Sequence, residues 1–255
     1  MQLIDTHTHL YLPEFDTDRY EMITRAKACG VERFYLPNID RASVDPMLQM
    51  ERDFPGSCFA MMGLHPCSVD EEWEKELKWM EQLLGERHYA GIGEVGLDYY
   101  WDKTHAVSQR EAFGRQIEWA KELQLPVIIH SRESLEDCIQ IVGSKQDGRL
   151  KGIFHCFGGS TDDAKRIGDL GFSIGIGGVL TYKKSGLSET MRSVDRSLVV
   201  LETDAPYLSP VPYRGKRNEP AYLKEIVEQL AVCWEMTTEE TADITSANAL
   251  KLFGG

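Results

Sequence analysis

The sequence lacks closely spaced cysteine pairs and long apolar runs. Its six cysteines are scattered and none stands in a Cys-x-x-Cys arrangement, which argues against a disulfide framework and against a thiolate zinc site. No run approaches the roughly 18 apolar residues of a transmembrane helix, and no basic segment followed by an apolar stretch opens the chain. We therefore expect a soluble, cytoplasmic protein with reduced thiols and no membrane contact.

Positive charge is also scarce. The 28 Lys and Arg residues are outnumbered by 41 Asp and Glu residues, so the net charge is −13. This balance disfavours a broad basic face for duplex nucleic acid or for an anionic membrane. It leaves open a nucleic-acid substrate that is held locally by metal and a few basic groups. We expect a monomer with no obligate protein partner.

Short apolar runs alternate with amphipathic stretches along almost the whole chain. The eight predicted strands cover residues 2–5, 31–36, 58–62, 89–92, 126–129, 152–154, 172–176 and 198–201. Parallel neighbours need crossover connections, so this alternation predicts parallel β-α units. The chain length of 255 residues suits a closed (β/α)8 TIM barrel, an α/β fold with a single domain over 1–255. An open doubly wound sheet is the alternative.

Residue types that bind metals follow five of these predicted strands. Asp5 ends the first strand and His7 and His9 follow it, and their alternate spacing would place all three on one face of an extended segment. The other four strands lead to Glu94, to His130, to His155, and to Glu202 with Asp204. In a barrel these strand ends meet at one mouth, so the five placements together predict a metal centre. Helix capping is the alternative role for the carboxylates.

Five ordered sequence blocks resemble the signature blocks of the TatD family, which are metal-dependent deoxyribonucleases within the amidohydrolase superfamily. The blocks are Asp5-x-His7-x-His9, Gly93-Glu94-x-Gly96-Leu97-Asp98, Pro126-x-x-x-His130-x-Arg132, His155-x-Phe157-x-Gly159 and Glu202-Thr203-Asp204-Ala205-Pro206. The resemblance implies a barrel that holds two divalent cations and hydrolyses phosphodiester bonds in DNA. It also implies metal ligands at the matching positions His7, His9, Glu94, His130, His155 and Asp204.

The chemistry of these residue types suggests how the ligands are divided between two metal sites. A carboxylate can bridge two cations where an imidazole cannot, so we expect Glu94 to link two sites. His7, His9 and Asp204 would complete one site, and the two remaining histidines would complete the other. Asp204 is the expected acceptor for the proton of the attacking water. The donors do not select among magnesium, manganese and zinc, because carboxylates suit the first two and histidines suit the third.

Two further residues are candidate phosphate contacts. His65 lies just beyond the third predicted strand, and Arg132 follows His130 by two residues, so both are aimed at the predicted mouth. A satisfied loop histidine is the alternative for His65. An ion pair with a barrel carboxylate is the alternative for Arg132.

Two loops carry the other candidate substrate contacts. The aromatic loop after strand four contains Tyr99, Tyr100 and Trp101, which could stack on a nucleobase or form a lid on the rim. The loop 212–218 after strand eight is the dense basic segment of this acidic chain, and it could reach a phosphate backbone or stay a solvated surface. Its basic residues are Arg214, Lys216 and Arg217.

These features lead us to expect a deoxyribonuclease that acts as an exonuclease on single-stranded or frayed DNA. One rival is an amide- or lactone-cleaving hydrolase of the same superfamily. Such enzymes commonly bridge their metals with a modified lysine at the end of strand four, where this chain has Glu94 and no lysine nearby before Lys103. The other rival is a non-catalytic, metal-dependent protein that binds nucleic acid or nucleotides. The intact ligand set argues against it.

Overall fold

Eight strands alternate with helices in the structure, a computed structural model that describes residues 1–101 and 103–254. The strands are β1 (Leu3–Asp5), β2 (Val31–Pro37), β3 (Cys58–Met61), β4 (Ile92–Asp98), β5 (Val127–Arg132), β6 (Gly152–Phe154), β7 (Phe172–Ile176) and β8 (Val199–Leu201). The helices are α1 (Arg19–Ala28), α2 (Arg41–Asp53), α3 (Trp73–Glu86), α4 (Ala106–Leu123), α5 (Leu135–Lys145), α6 (Thr161–Asp169), α7 (Leu187–Ser193), α8 (Leu223–Trp234) and α9 (Thr238–Phe253). Within the described ranges, none of these helices is long and apolar enough to cross a membrane.

The strands pair in parallel and in chain order. One arc contains β1 to β3 and a second arc contains β4 to β8. Backbone hydrogen bonds join the arcs at both seams: Gly93 N donates to Met62 O at 3.0 Å, and Thr6 N donates to Leu201 O at 3.0 Å. The order of neighbours is that of a (β/α)8 barrel, so the predicted fold is confirmed and the open sheet is not formed.

Apolar side chains fill the barrel interior and close one of its ends. Six strands each contribute one buried residue to an inner cluster, namely Ile4, Tyr35, Met61, Ile128, Ile153 and Val200. The last helix, α9, covers this cluster with Leu252, and the Phe253 ring stacks on Tyr35 with centroids 3.7 Å apart. The opposite end, towards which all strands run, is left for polar residues.

The fourth strand differs most from its prediction. It was expected over 89–92, but it runs from Ile92 to Asp98, so Glu94 lies inside the strand and not after it. Glycines 93 and 96 interrupt the apolar pattern and gave this segment the signature of a loop. The stretch after β7 contains helix α7.

Candidate metal centre

The chain leaves β1 at Asp5 and bends across the barrel mouth. His7 and His9 lie beyond the strand, yet their Nε2 atoms are 3.2 Å apart and both rings are buried. Asp5 turns elsewhere: its carboxyl accepts hydrogen bonds from the N–H of Thr203 at 2.9 Å and from its hydroxyl at 2.5 Å. Burial raises the pKa of Asp5 to about 8. The expected common face therefore holds for the two histidines, through a bend, and not for Asp5.

Glu94 lies between two pairs of histidines. Its Oε2 is 3.2 Å from His7 Nε2 and 3.4 Å from His9 Nε2. Its Oε1 is 2.8 Å from both His130 Nδ1 and His155 Nε2. Burial alone would raise the pKa of Glu94, but the imidazoles, His155 foremost, hold it well below its usual range. One carboxylate thus presents one oxygen to each pair.

Two glycines allow β4 to pass this close to β5. A Cβ at Gly93 would lie 2.7 Å from Ile128 Cβ, and a Cβ at Gly96 would lie 2.1 Å from the carbonyl oxygen of His130. Gly96 also has a φ of +132°, which residues with a side chain rarely adopt. The place of Glu94 in the mouth depends on these bare backbone positions.

Asp204 joins the first pair of histidines. Its Oδ1 lies 3.6 Å from the Nε2 atoms of both His7 and His9. Its backbone N–H donates to His7 O at 2.9 Å, which ties the β8 end to the β1 end. Burial would raise the pKa of Asp204, but the nearby imidazoles of His9 and His7 hold it below its usual value. We call His7, His9 and Asp204 the first group, and the other pair the second group.

The second group, His130 and His155, has buried carboxylates behind its rings. His130 faces Glu94 with Nδ1, whereas the other three histidines of the cluster use Nε2, and His130 Nε2 lies 2.9 Å from Asp98 Oδ2. Behind His155, Nδ1 lies 3.6 Å from Glu202 Oε1. Sequence reasoning gave Asp98 no role, although it shares a strand face with Glu94 once β4 extends to residue 98.

The donor set fits divalent cations. Three overlapping sets of ligand atoms each lie within 4.8 Å of one another: His7 with His155 and Asp204, His7 with His9 and Glu94, and His65 with Glu94 and His130. Imidazole nitrogens and carboxylate oxygens are the usual donors for zinc, and the oxygens also suit magnesium and manganese. Such donors crowd together in a buried space most favourably when a cation balances their lone pairs.

His65 also reaches the cluster. Its Nε2 lies 3.3 Å from Glu94 Oε1, and its ring centroid is 4.5 Å from that of His130. The N–H of Cys67 donates to His65 Nδ1 at 3.0 Å and so fixes which nitrogen faces inward. The ring therefore belongs to the cluster, and the expected phosphate contact stays a prediction beside a bond to a cation.

Arg132 and the aromatic loop meet at the rim. The guanidinium carbon of Arg132 lies 3.8 Å from the ring centroid of Tyr100 and 5.1 Å from that of Trp101. These two rings, which we call the platform, are 51% and 69% exposed. Tyr99 turns inward instead, packs against the core and donates its hydroxyl hydrogen to Asp137 at 2.9 Å. Tyr99 therefore faces away from the rim, contrary to the expected stacking on a base, whereas stacking on Trp101 stays a prediction.

The basic loop 212–218 is divided between solvent and an internal ion pair. Arg214 and Lys216 are exposed. The guanidinium of Arg217 instead lies 2.6 and 2.8 Å from the two carboxylate oxygens of Asp18, and it covers the ring of Phe15 at 4.6 Å. Arg217 thus fastens the loop to the start of α1, contrary to the expected phosphate contact.

A cavity of about 390 Å³ opens between the loops that follow β5 and β6. It is lined by Arg132 and Ser134 on one side, and by His155, Phe157 and Gly159 on the other. The cavity therefore offers space for a bound molecule that extends from His155 towards Arg132.

Comparisons with known proteins identify a family and several relatives. Residues 4–254 match the family model described as TatD related DNase. YabD, an uncharacterized metal-dependent hydrolase of Bacillus subtilis, is 41% identical over 254 residues, 98% of each chain. A Rahnella protein named 3'-5' ssDNA/RNA exonuclease TatD is 32% identical over 247 residues, 94% of each chain. The solved structure of a TatD homologue from Escherichia coli matches with a TM-score of 0.93 and 28% identity, over 99% of this chain and 98% of that one.

Proposed function

This chain belongs to the TatD family of metal-dependent hydrolases, and we propose that it is an exonuclease that shortens single-stranded or frayed DNA at a centre of two divalent cations. Glu94 carries the proposal, because its two carboxylate oxygens each face a different pair of histidine nitrogens at 2.8 to 3.4 Å. Two bound cations in such a site would activate water and stabilise the attacking and leaving oxygens of a phosphodiester.

We assign the first group to one cation and the second group to the other, with Glu94 shared between them. His65 is a candidate additional donor to the second cation or a contact to the substrate phosphate. Four imidazoles favour zinc, whereas the carboxylates would also accept magnesium or manganese. In this assignment the whole chain, 1–255, is one hydrolase domain.

Asp204 is the proposed acceptor for the proton of the attacking water. Its carboxylate is ionised, and its side chain is 13% exposed compared with 3% for Glu94, so water reaches it more readily. The deeper position of Glu94 suits a bridging role. The difference in solvent exposure thus distinguishes the proposed roles of the two carboxylates.

The rim supplies the proposed grip on the strand. A terminal base would stack on Tyr100 or Trp101, whose exposed faces are sequence-tolerant partners for any base. Arg132 lies beside the platform and lines the cavity next to His155, where it could pair with a phosphate. Arg214 and Lys216 would meet the following backbone.

Charge favours an end over an unbroken duplex. With a net charge of −13, binding has to come from a few local cations, and a free or frayed end enters a barrel mouth more easily than a closed helix does. The relative from Rahnella that is named an exonuclease on single-stranded DNA and RNA supports this choice. Since that name includes RNA, an RNA strand belongs in the test.

The decisive assay uses defined oligonucleotides labelled at either end, in single-stranded, blunt, frayed and closed circular forms, with each cation in turn. We expect stepwise shortening of single-stranded and frayed DNA, and an intact circle. Rapid nicking of the closed circle would refute the exonuclease. Turnover of lactones or amides in place of oligonucleotides would favour the superfamily rival, and metal-dependent binding without turnover would favour the non-catalytic one.

A further inference from the structure

Asp98 lies between a cluster histidine and the platform. Its side chain is almost completely buried. One oxygen, Oδ2, is 2.9 Å from His130 Nε2. The other oxygen, Oδ1, accepts hydrogen bonds from the backbone N–H groups of Tyr100 at 2.9 Å and of Trp101 at 3.2 Å. A single carboxylate therefore holds a candidate metal ligand with one oxygen and the aromatic loop with the other.

The contact with His130 decides which nitrogen is free to bind a cation. An imidazole binds through the nitrogen without a proton, and here Nδ1 faces Glu94 at 2.8 Å. Asp98 accepts a hydrogen bond from Nε2, so it keeps the proton on that atom and leaves Nδ1 available.

Two further contacts bind Asp98 and the platform into one unit. The backbone N–H of Asp98 donates to Gln109 Oε1 on α4 at 3.0 Å. Across the strands, Asp98 stands opposite Arg132 in the β4–β5 register, and the Arg132 guanidinium lies on the Tyr100 ring. The strand that carries His130 thus reaches the platform twice, through Asp98 and through Arg132.

We propose that Asp98 is a positioning residue that couples the cation of the second group to the orientation of the platform. This inference rests on the two-cation centre proposed above. A cation on His130 favours the arrangement of Asp98 that also holds the loop, and by reciprocity a strand end stacked on the platform strengthens the binding of that cation. The coupled ligands are a divalent cation and the terminal base of a single strand.

A zinc titration of the full chain, stripped of metal by a chelator, tests the coupling without any substrate. Calorimetry gives the number of ions and their affinities, and the emission of Trp101 is obtained by subtracting the spectrum of Trp101→Phe. For the wild type we expect two ions to bind. The Trp101 emission should change as the ion of the second group binds.

Asp98→Asn is the informative variant. Its amide oxygen can still accept from the loop, but its NH2 group would donate to His130 Nε2 and move the imidazole proton to Nδ1. We expect the affinity of one of the two ions to fall about 10–100-fold and that of the other to stay near the wild-type value. The Trp101 signal should no longer follow the weakened ion. Far-ultraviolet circular dichroism checks that the variant folds.

Asp137→Asn is the matched control, because Asp137 also holds the aromatic segment, through Tyr99, and pairs with Arg110. It should bind both ions as the wild type does. Wild-type affinities in Asp98→Asn, an equal loss in Asp137→Asn, or a Trp101 signal that ignores the second ion would each overturn the proposal. A wild-type chain that saturates with one zinc would instead contradict the two-cation centre itself.

Discussion

The candidate metal centre and the loop 212–218 both contain ionisable side chains at the barrel mouth. The two regions differ in the partners of these side chains. In the cluster each carboxylate faces imidazoles that come from other strands, and each group shifts the pKa of its neighbours. In the loop Arg217 pairs with Asp18, the exposed Arg214 lies over the Tyr182 ring at 4.1 Å, and Lys216 is exposed. Buried charges that share partners respond as a unit, whereas exposed charges respond singly and are screened by salt. Substitutions should therefore abolish function in the cluster and only adjust it in the loop.

The strongest test of this contrast is Glu94→Ala. Since Glu94 presents an oxygen to both groups, its loss should weaken both cations and reduce turnover to background. His130→Ala should mainly weaken one ion, because the first group remains complete. Elemental analysis and metal titration of the two variants make the comparison. Equal loss of both ions in both variants would argue against Glu94 as the bridge.

Asp204→Asn should have the next largest effect. The amide keeps the shape and one oxygen but removes the charge and most of the basicity, and roles as a general base are typically worth about 10²–10⁴-fold in kcat. Turnover and metal content have to be measured on the same preparation. Near wild-type turnover at full metal occupancy would remove Asp204 from its assigned role.

Trp101→Ala tests whether an exposed ring of the platform contributes to substrate binding on its own. Stacking of a base on an aromatic ring is worth about 1–3 kcal/mol, so KM for a single-stranded oligonucleotide should rise by roughly 5- to 150-fold. Tyr20→Ala is the control. It removes an exposed ring outside the platform, on α1, and should leave KM unchanged. A similar rise in both variants would show that the effect is not specific to the platform.

Smaller changes are expected from the exposed cations of the loop. Arg214→Ala and Lys216→Ala should raise KM and flatten its salt dependence by about 0.7 in log–log slope for each lost phosphate contact. Hydrolysis of a small chromogenic phosphodiester should hardly change, because that substrate does not reach the loop. An unaltered salt slope would mean that these side chains do not touch the strand.

The smallest effect concerns stability. Arg217, and then Arg25, lower the pKa of Asp18 below its usual range, so the pair stabilises the fold above the unfolded pKa of about 4 and loses this contribution as pH falls below it. Both side chains are partly exposed, which limits the gain to about 1 kcal/mol or less. Urea unfolding should show Arg217→Ala slightly less stable than wild type at pH 7, with the gap narrowing at pH 3. A gap that is independent of pH would exclude this ion pair as its source.

The same contrast explains what could be read from sequence. The barrel and the convergence of the six ligand-type residues were predictable, because strand ends in such a fold share one mouth and the ordered blocks are specific. The partners at the rim were not. Arg217 and Asp18 are separated by 199 positions, and local sequence carries no signal of their contact. Tyr99 and Tyr100 differ only in which way each ring turns, and Asp137 in a later helix decides that for Tyr99.

Gly96 shows where this architecture tolerates least change. Its bare backbone lies so close to the carbonyl oxygen of His130 that one added methyl group would have to wedge β4 away from β5. Glu94 and Asp98, on the same strand, would then move relative to His130 although every functional group remained in place. A mutational scan restricted to chemically reactive side chains would miss this position. We therefore expect that a net gain of one carbon and two hydrogens, at a residue that performs no chemistry, is enough to abolish the activity of this chain.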